Sequence, residues 1–239
     1  NYLTDPTDTG TGTGQHMIIN LEKGAGTLEV RIVGINHDEK VGGGKAGLTF
    51  MATHRLPDKY NQKMHLTENI STNGWRGSPI RADLSEPNGK VWKLMPPELV
   101  TAIEPVNKYT NNAGGGPGTE YYPVTPPTQE KLWIPSYAEL VPSVFYGWTS
   151  WKWAAQEGSQ YPFFTKWNID YWGGNGILAS MCFDYPGLAS KSGAWPWWNR
   201  SCHPPYGDHF VVCNTDGNPS NGFPAAIADS GGIVLGFSL

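Results

Sequence analysis

Residues 131–140 read KLWIPSYAEL, and this run predicts a strand that passes directly into a helix. Residues 132–134 are an apolar, strand-like run that ends at Pro135. Ser136 followed by Glu139 is a capping box, in which the two side chains satisfy backbone amides at the start of a helix. A strand joined to a helix without a loop indicates a domain that mixes the two kinds of element.

Strand patterns lie on both sides of this run. Residues 28–33 alternate apolar and polar side chains with period two, which is typical of a half-buried strand. Residues 48–52 predict its partner across a glycine loop at 42–44. Later strands are predicted at 195–200, 209–213, 224–228 and 233–239. The last of these is apolar, which predicts a C-terminus held inside a sheet.

Helix signals are few and short. Ser78 followed by Pro79 predicts a short helix, and another is expected to begin near Pro96. With the helix after Ser136, the order of elements predicts an α+β domain with short antiparallel strands, two or three short helices and long loops. We expect a flexible tether over residues 1–16 and a single domain over 17–239, with a glycine-rich insertion near 111–119.

Composition narrows the class of protein. The 239 residues include 30 Gly and 20 Pro, which argues against a helical bundle, and 13% aromatic residues with only 16% charged ones, which excludes disorder over most of the chain. The net charge of −4 disfavours nucleic acid as a partner. No apolar run is as long as a membrane span, so no membrane insertion is expected. The cysteines, at 182, 202 and 213, are predicted to be small buried hydrophobic residues or to form at most one bridge.

Sequence patterns for catalysis are mostly missing. The six histidines have no spacing typical of metal ligands, and the chain has no GxSxG elbow, Walker loop or GxGxxG run after a strand. We therefore predict no metal and no cofactor. A pair of carboxylates for sugar hydrolysis stays open, because several acidic residues could meet in the fold. They are Glu120, Glu139, Glu157, Asp170 and Asp184.

Aromatic residues are strongly clustered. Nine of the 11 Trp fall between residues 133 and 198, partly in a stretch rich in Gly and Asn that no helix or strand period organises. Trp and Tyr give broad, rigid contact area at low entropic cost, and their faces also stack on sugar rings. The cluster therefore predicts a recognition face, while the alternative for any single ring is that it fills the core.

Five blocks occur in order along the chain. They are NGWRGSPIR at 73–81, KLWIPSYAEL at 131–140, EGSQY at 157–161, WWNRS at 197–201 and GIVLGFSL at 232–239. From about residue 17 to the end, the chain resembles an uncharacterised domain family of gut bacteria and their phages. That family is similar to the C-type-lectin-like fold of formylglycine-generating enzymes and of the variable proteins of diversity-generating retroelements, such as the phage major tropism determinant.

The resemblance implies a scaffold and a displayed face. The scaffold residues would be Trp197, Trp198, Arg200, Ser201, Gly236 and Phe237, with Arg200 donating to buried carbonyls. We add our own expectation for the ligand-binding face, which the resemblance does not reach. It comprises Tyr146, Trp148, Trp151, Trp153, Tyr171, Trp172, His203, Tyr206 and His209.

Two departures from the family's relatives limit the function. The oxidases use a closely spaced cysteine pair, whereas Cys202 and Cys213 are 11 positions apart, which argues against that activity. Glu86, Pro87 and Asn88 match a lectin calcium sequence in letters only, because they lie in the N-terminal half, where a turn after the helix is expected. No obligatory calcium is predicted.

The sequence therefore predicts a non-enzymatic recognition domain of an extracellular or phage virion protein. It would bind a host-surface protein or glycan through the aromatic loop face, within a larger assembly whose several copies would raise affinity. One alternative is an enzyme of the same fold, an oxidase or a carbohydrate-active hydrolase, that uses His203, His209 and nearby aspartates. The other is a structural module of a virion or pilus.

Overall fold

The computed structural model describes residues 16–66, 73–111, 126–142, 156–169, 175–183, 193–203, 206–226 and 231–239. Within these ranges the chain has nine β-strands and five short α-helices. The strands are β1 (His16–Asn20), β2 (Thr27–Ile35), β3 (Leu48–Ala52), β4 (Val106–Lys108), β5 (Thr128–Glu130), β6 (Trp197–Cys202), β7 (His209–Cys213), β8 (Asn221–Pro224) and β9 (Gly236–Ser238). The helices are α1 (Pro79–Leu84), α2 (Pro97–Ala102), α3 (Tyr137–Leu140), α4 (Pro162–Lys166) and α5 (Gly176–Ser180). Tether residues 1–15 and nearly all of the predicted insertion lie outside the described ranges.

The first sheet joins the two ends of the described chain. Its order is β1-β2-β3-β9, and all of its pairs are antiparallel. The predicted pairing of 28–33 with 48–52 is confirmed, with Ile32 opposite Phe50. Phe50 in turn faces Phe237 of β9, and their rings stack with centroids 5.3 Å apart. The prediction that the C-terminus is held in a sheet is therefore confirmed.

Two smaller antiparallel sheets complete the strand structure. One pairs β4 with β5, and the other has the order β6-β7-β8. The strand predicted at 195–200 begins two residues later, at Trp197. The strand predicted at 224–228 is displaced, since β8 ends at Pro224, whose nitrogen has no hydrogen with which to extend a ladder. These sheets and short helices confirm the α+β class.

Two of the helices begin where their capping residues predict. The Ser78 Oγ accepts from the Ile80 amide at 3.1 Å, and the capping box of Ser136 and Glu139 is complete. Helices α4 and α5 were not predicted, and with five residues each they are too short to show a period in the sequence. Proline at the first position begins α4, and the Asn175 side chain caps α5. The expectation of two or three helices is therefore too low.

Several of the aromatic residues and all three cysteines belong to the core. Trp75, Trp133, Trp197 and Trp198 are fully buried, so the core-filling interpretation holds for these four rings. Cys182, Cys202 and Cys213 are buried and unbridged, which confirms the prediction that they behave as small hydrophobic residues. Among the described residues, no helix is both long and apolar enough to cross a bilayer.

In place of the strand predicted at 132–134, the structure has one isolated backbone pairing, between Trp133 and Gly236. Trp133 and Gly236 exchange two backbone hydrogen bonds, at 3.0 and 2.7 Å, and no ladder extends from them. The Trp133 ring lies against the Gly236 backbone, where a Cβ atom would come within 2.4 Å of the Cη2 and Cζ3 atoms of the ring. Only glycine permits this approach.

A methyl group at residue 236 should therefore destabilise the protein. The Trp133 ring packs against the Lys108 ammonium, 3.7 Å from its centroid, and against the stacked ring of Tyr161, so it has little room to move. We expect Gly236→Ala to lower the free energy of unfolding by about 3 kcal/mol, the upper part of the usual range for overpacking. Urea denaturation measures the change.

Gly176→Ala is the matched control. Gly176 is the first residue of α5, and nothing lies within 4 Å of the position its Cβ would occupy. The free energy of unfolding should stay within about 1 kcal/mol of the parent, with alanine favouring the helix. Equal losses for the two variants would contradict the close approach of Trp133 to Gly236.

Candidate functional site

Four charged side chains form a buried ion network, which we define as Asp38, Lys108, Glu139 and Arg200. The Lys108 ammonium donates to Asp38 Oδ1 at 2.7 Å and to Glu139 Oε1 at 2.9 Å. Arg200 donates to both oxygens of Glu139, at 2.6 and 2.9 Å. All four residues are at least 94% buried, so the two positive charges are compensated by two carboxylates inside the protein.

The ion network connects all three sheets. Lys108 ends β4 of the second sheet, and Arg200 lies in β6 of the third. Asp38 accepts from Thr49 of β3 at 2.8 Å and from Ser238 of β9 at 3.2 Å, both in the first sheet. Each sheet is therefore held to the others through a charged group. Because these groups are buried, solvent cannot replace a lost partner.

Four of the five sequence blocks, all except 73–81, meet around this network. Arg200 donates to the carbonyls of Ile134, Tyr109 and Glu157, at 2.9, 3.3 and 3.2 Å. The expectation that Arg200 satisfies buried carbonyls is confirmed, and the Glu139 carboxylate is an additional partner that was not predicted. All six expected scaffold residues are buried. Four of the five blocks thus supply contacts at the structural centre of the protein.

Glu139 and Glu157 are two buried carboxyls whose pKa values are shifted in opposite directions. Burial alone would raise the pKa of Glu139, but the charges of Arg200 and Lys108 outweigh it, and the pKa is lowered. Burial raises the pKa of Glu157 to about 8, because its main partners are the Ser201 hydroxyl and the Asn111 amide. Glu157 is therefore a neutral acid near pH 7, beside an ionised Glu139.

This pair is the only one of the candidate hydrolytic carboxylates that falls within the described residues. Glu139 Oε1 accepts from Lys108 and Arg200, and its Oε2 accepts from Arg200 and from the Ser136 amide at 3.0 Å. Both oxygens of each carboxyl are thus engaged by protein groups. Glu120, Asp170 and Asp184 lie outside the described ranges.

A pocket of about 410 Å³ opens beside the ion network. His37, Tyr109 and Ser159 lie on its wall with Glu139 and Glu157. The Ser159 hydroxyl is 3.1 Å from His37 Nε2, while His37 Nδ1 is 3.9 Å from Asp38 Oδ1. The first distance is a hydrogen bond and the second is too long for one. The sequence did not suggest His37, Asp38 or Ser159 as functional residues.

Three of the nine predicted ligand-binding residues are described, and they lie together. His203, Tyr206 and His209, here called the ring cluster, surround the β6–β7 turn. Tyr206 stacks over His203 with centroids 5.0 Å apart, and His209 lies 5.0 Å from Tyr206 and 6.4 Å from His203. Tyr206 is 53% exposed, whereas His203 is 7% exposed. The cluster thus presents one exposed aromatic ring, stacked on a buried imidazole.

The His203 imidazole, which supports the Tyr206 ring, is held in place and uncharged. A Cβ atom on Gly222 of β8 would come within 2.4 Å of His203 Cδ2, so the imidazole lies directly on the strand. Burial lowers the pKa of His203 to about 4, and the neighbouring His209 adds to this effect. His209 Nδ1 is 2.5 Å from Asp208 Oδ1. The His203 ring is therefore neutral near pH 7 and acts as an aromatic platform.

The other six predicted ligand-binding residues lie outside the described ranges. They are Tyr146, Trp148, Trp151, Trp153, Tyr171 and Trp172. Within the described part of the chain, no three His, Cys, Asp or Glu side chains are grouped as metal ligands would be. No protein-family model, curated protein or solved structure matches this chain. The family resemblance therefore stays a prediction that depends on the five blocks.

The protonation of Glu157 predicts a specific pH dependence. In the unfolded chain this carboxyl ionises near its ordinary pKa of 4.5, while in the folded protein it keeps its proton to about pH 8. Unfolding releases that proton between these values, so the contribution of Glu157 to the free energy of unfolding falls as the pH rises from 4.5 to 8. Glu157→Gln should remove this fall, as measured by urea denaturation at intervals from pH 5 to 8.

Glu139→Gln provides the contrast within the same network. Its amide would leave Arg200 and Lys108 short of a buried negative charge, and breaking such a pair costs about 3–5 kcal/mol. Glu157→Gln replaces a neutral acid by a neutral amide and should lose far less at pH 7. An unchanged pH slope in Glu157→Gln would show that Glu157 is ionised in the folded protein.

Proposed function

We propose that the protein is a non-enzymatic recognition domain that binds a host-surface protein or glycan through an aromatic loop face. The observation that carries this proposal is the ring cluster, an exposed tyrosine stacked on a buried imidazole at the end of a rigid sheet. Binding surfaces favour tyrosine in such a setting, because its ring loses little side-chain entropy and offers both an apolar face and a hydroxyl.

The division between core and surface supports the proposal. Four of the five blocks supply buried contacts to the ion network, and in the fifth Trp75 and Arg81 donate to Glu130 at 3.1 and 2.6 Å. A stable centre of this kind permits the loops to differ without loss of the fold. Such a plan agrees with the C-type-lectin-like fold and the variable proteins that the chain resembles, and we propose the same arrangement here, on an extracellular or virion protein.

Tyr206→Ala tests the ring cluster directly. Because the Tyr206 ring is half exposed, its removal should leave the melting temperature within about 3 °C of the parent. An aromatic residue at the centre of a binding surface typically contributes about 2 kcal/mol, so binding should weaken roughly 30-fold. The measurements are a printed glycan array and a panel of intact gut bacterial cells.

Phe183→Ala is the control for loss of an exposed ring. Phe183 is 47% exposed, close to the value for Tyr206, and it lies outside the ring cluster. It should leave binding unchanged. Blank results on both the array and the cells for the parent protein would contradict the proposal.

The same assays test Trp148→Ala and Trp172→Ala, for which we also expect lost binding with little change in melting temperature.

An enzyme is the second candidate, and the contact of Ser159 with His37 favours it. The pocket beside the ion network is concave and has titratable groups on its wall, as a hydrolase requires. However, Asp38, which would have to orient His37, accepts from Lys108 at 2.7 Å and from Tyr161 at 3.1 Å, and it lies 3.9 Å from His37 Nδ1. The arrangement therefore lacks an orienting carboxylate for the imidazole.

A fluorophosphonate probe separates the two candidates. For a recognition domain we expect no stoichiometric labelling of Ser159, because an imidazole without an orienting carboxylate does not activate the hydroxyl. Intact-mass spectrometry detects the adduct. Labelling of Ser159 that is lost in His37→Gln would favour the hydrolase and contradict our proposal.

A further inference from the structure

A second pocket, of about 270 Å³, lies on the loop that follows β3. Three lysines contribute to its wall, Lys59, Lys63 and Lys90, together with the carboxamides of Asn61 and Gln62. We call this the lysine pocket. The proposed function does not account for three lysines on the wall of one cavity in a protein of net charge −4.

The loop that forms the lysine pocket is firmly held. The Trp198 indole donates to the Gln62 carbonyl at 2.9 Å, and the His65 amide donates to the Ala225 carbonyl at 2.9 Å. A tight turn, in which the Asn61 amide donates to the Asp58 carbonyl at 2.9 Å, contains Lys59. The pocket is therefore preformed, which lowers the entropic cost of binding a ligand.

The charges of the lysine pocket are only partly compensated. Lys90 is 3.5 Å from Asp83, which also accepts from Gln62, and Asp58 is paired with Arg55. In the described part of the chain neither Lys59 nor Lys63 has a carboxylate partner. The Lys59 ammonium lies 5.1 Å from the ring centroid of Tyr60, and that of Lys63 lies 3.5 Å from the Leu66 carbonyl. Two ammonium groups are thus available for an anion.

The Asn61 side chain is a further polar group on the wall of the lysine pocket. Its Oδ1 atom accepts no hydrogen bond within the described structure and has almost no exposed surface, so a ligand reaches it only when the side chain turns toward the pocket that it lines. A buried acceptor without a donor costs free energy, which a ligand hydroxyl would recover. A ligand that carries both an anionic group and hydroxyl groups satisfies the lysines and this acceptor together, as an acidic sugar does.

We propose that the lysine pocket binds the acidic group of a glycan, a carboxylate or a sulfate. Lys59 and Lys63 donate to the anion, and Asn61 Oδ1 accepts from a neighbouring sugar hydroxyl. The inference rests on the proposed function for its biological meaning, since it names the class of ligand that the recognition domain takes. The affinity of the pocket for the acidic sugar is a property of these residues alone.

The lysine pocket is connected to the ring cluster by two backbone hydrogen bonds. Ala225 accepts from the His65 amide on the pocket side, and its own amide donates to the Asp208 carbonyl at 2.9 Å. Asp208 directly precedes His209 of the ring cluster. The two features are therefore held to each other through the backbone of one residue, Ala225.

The test is a titration of the isotopically labelled protein with lactose, sialyllactose and lactose 3′-sulfate, followed by the amide resonances of the pocket loop. We expect both acidic sugars to shift the Gln62 and Lys63 amides and to bind at least about tenfold more tightly than lactose. The double variant Lys59→Gln, Lys63→Gln should weaken their binding by about tenfold or more. Added salt should weaken it as well, because the contacts are ionic.

Lys93→Gln is the matched control. Lys93 is exposed, lies three residues from Lys90 and is not on the wall of the pocket, so the same change of charge should leave affinity within about twofold. Equal affinity for lactose and the acidic sugars overturns the inference. So does a double variant that binds as well as the parent, or a DNA oligonucleotide that displaces the acidic sugar. Inorganic sulfate that binds as tightly as the sulfated sugar rejects the role of Asn61.

The outcomes also separate this inference from the proposed function. If Tyr206→Ala abolishes binding on the array while the double lysine variant binds normally, the pocket inference fails and the recognition domain stands. If acidic sugars bind the pocket but the array and the cells show no binding, the proposed function is wrong and the inference about the pocket is supported.

Discussion

The buried ion network is the constraint on which the rest of the structure depends. A lysine or arginine inside a protein without a carboxylate partner costs several kcal/mol, so every arrangement that separates Lys108 or Arg200 from Glu139 is strongly disfavoured. Because the members come from β4, α3, β6 and the turn after β2, satisfying them fixes the relative placement of all three sheets. Short strands and helices of four to six residues do not supply that specificity by packing alone.

The network also explains why so much irregular chain is compatible with a stable domain. The Trp133 indole lies against both Gly236 and the Lys108 ammonium, so a cation, an indole and a glycine are packed closely together. Trp198 fills the core and at the same time holds the loop of the lysine pocket through its indole nitrogen. Core aromatic residues thus position surface loops, and the loops need little regular structure of their own.

The aromatic residues divide into two groups with different physical roles. The buried indoles of Trp75, Trp133, Trp197 and Trp198 fill the core, and that of Trp133 lies against the Lys108 ammonium and shields it from water, which strengthens its ionic contacts. Tyr206 is held by stacking on His203 and leaves half of its surface to solvent. The neutral ring platform and the positively charged pocket are connected through the backbone of Ala225.

Local features of this protein were readable from its sequence. The capping serines placed α1 and α3, the alternation at 28–33 placed β2, and the apolar end of the chain predicted the strand that closes the first sheet. Each depends on contacts between residues close in the chain or on a simple period. The aromatic clustering indicated a binding face, and three of the nine residues chosen for it do lie together.

Only the tertiary structure decided which charges and which rings are buried. Nothing local distinguishes Lys108 from an exposed lysine, or Trp133 from a tryptophan on the surface, because both are defined by partners that lie far away in the chain. Glu157 is neutral and Glu139 ionised for the same reason, since the guanidinium and the ammonium face one carboxylate and not the other. Electrostatic energy depends on distance in space, and the fold alone sets those distances.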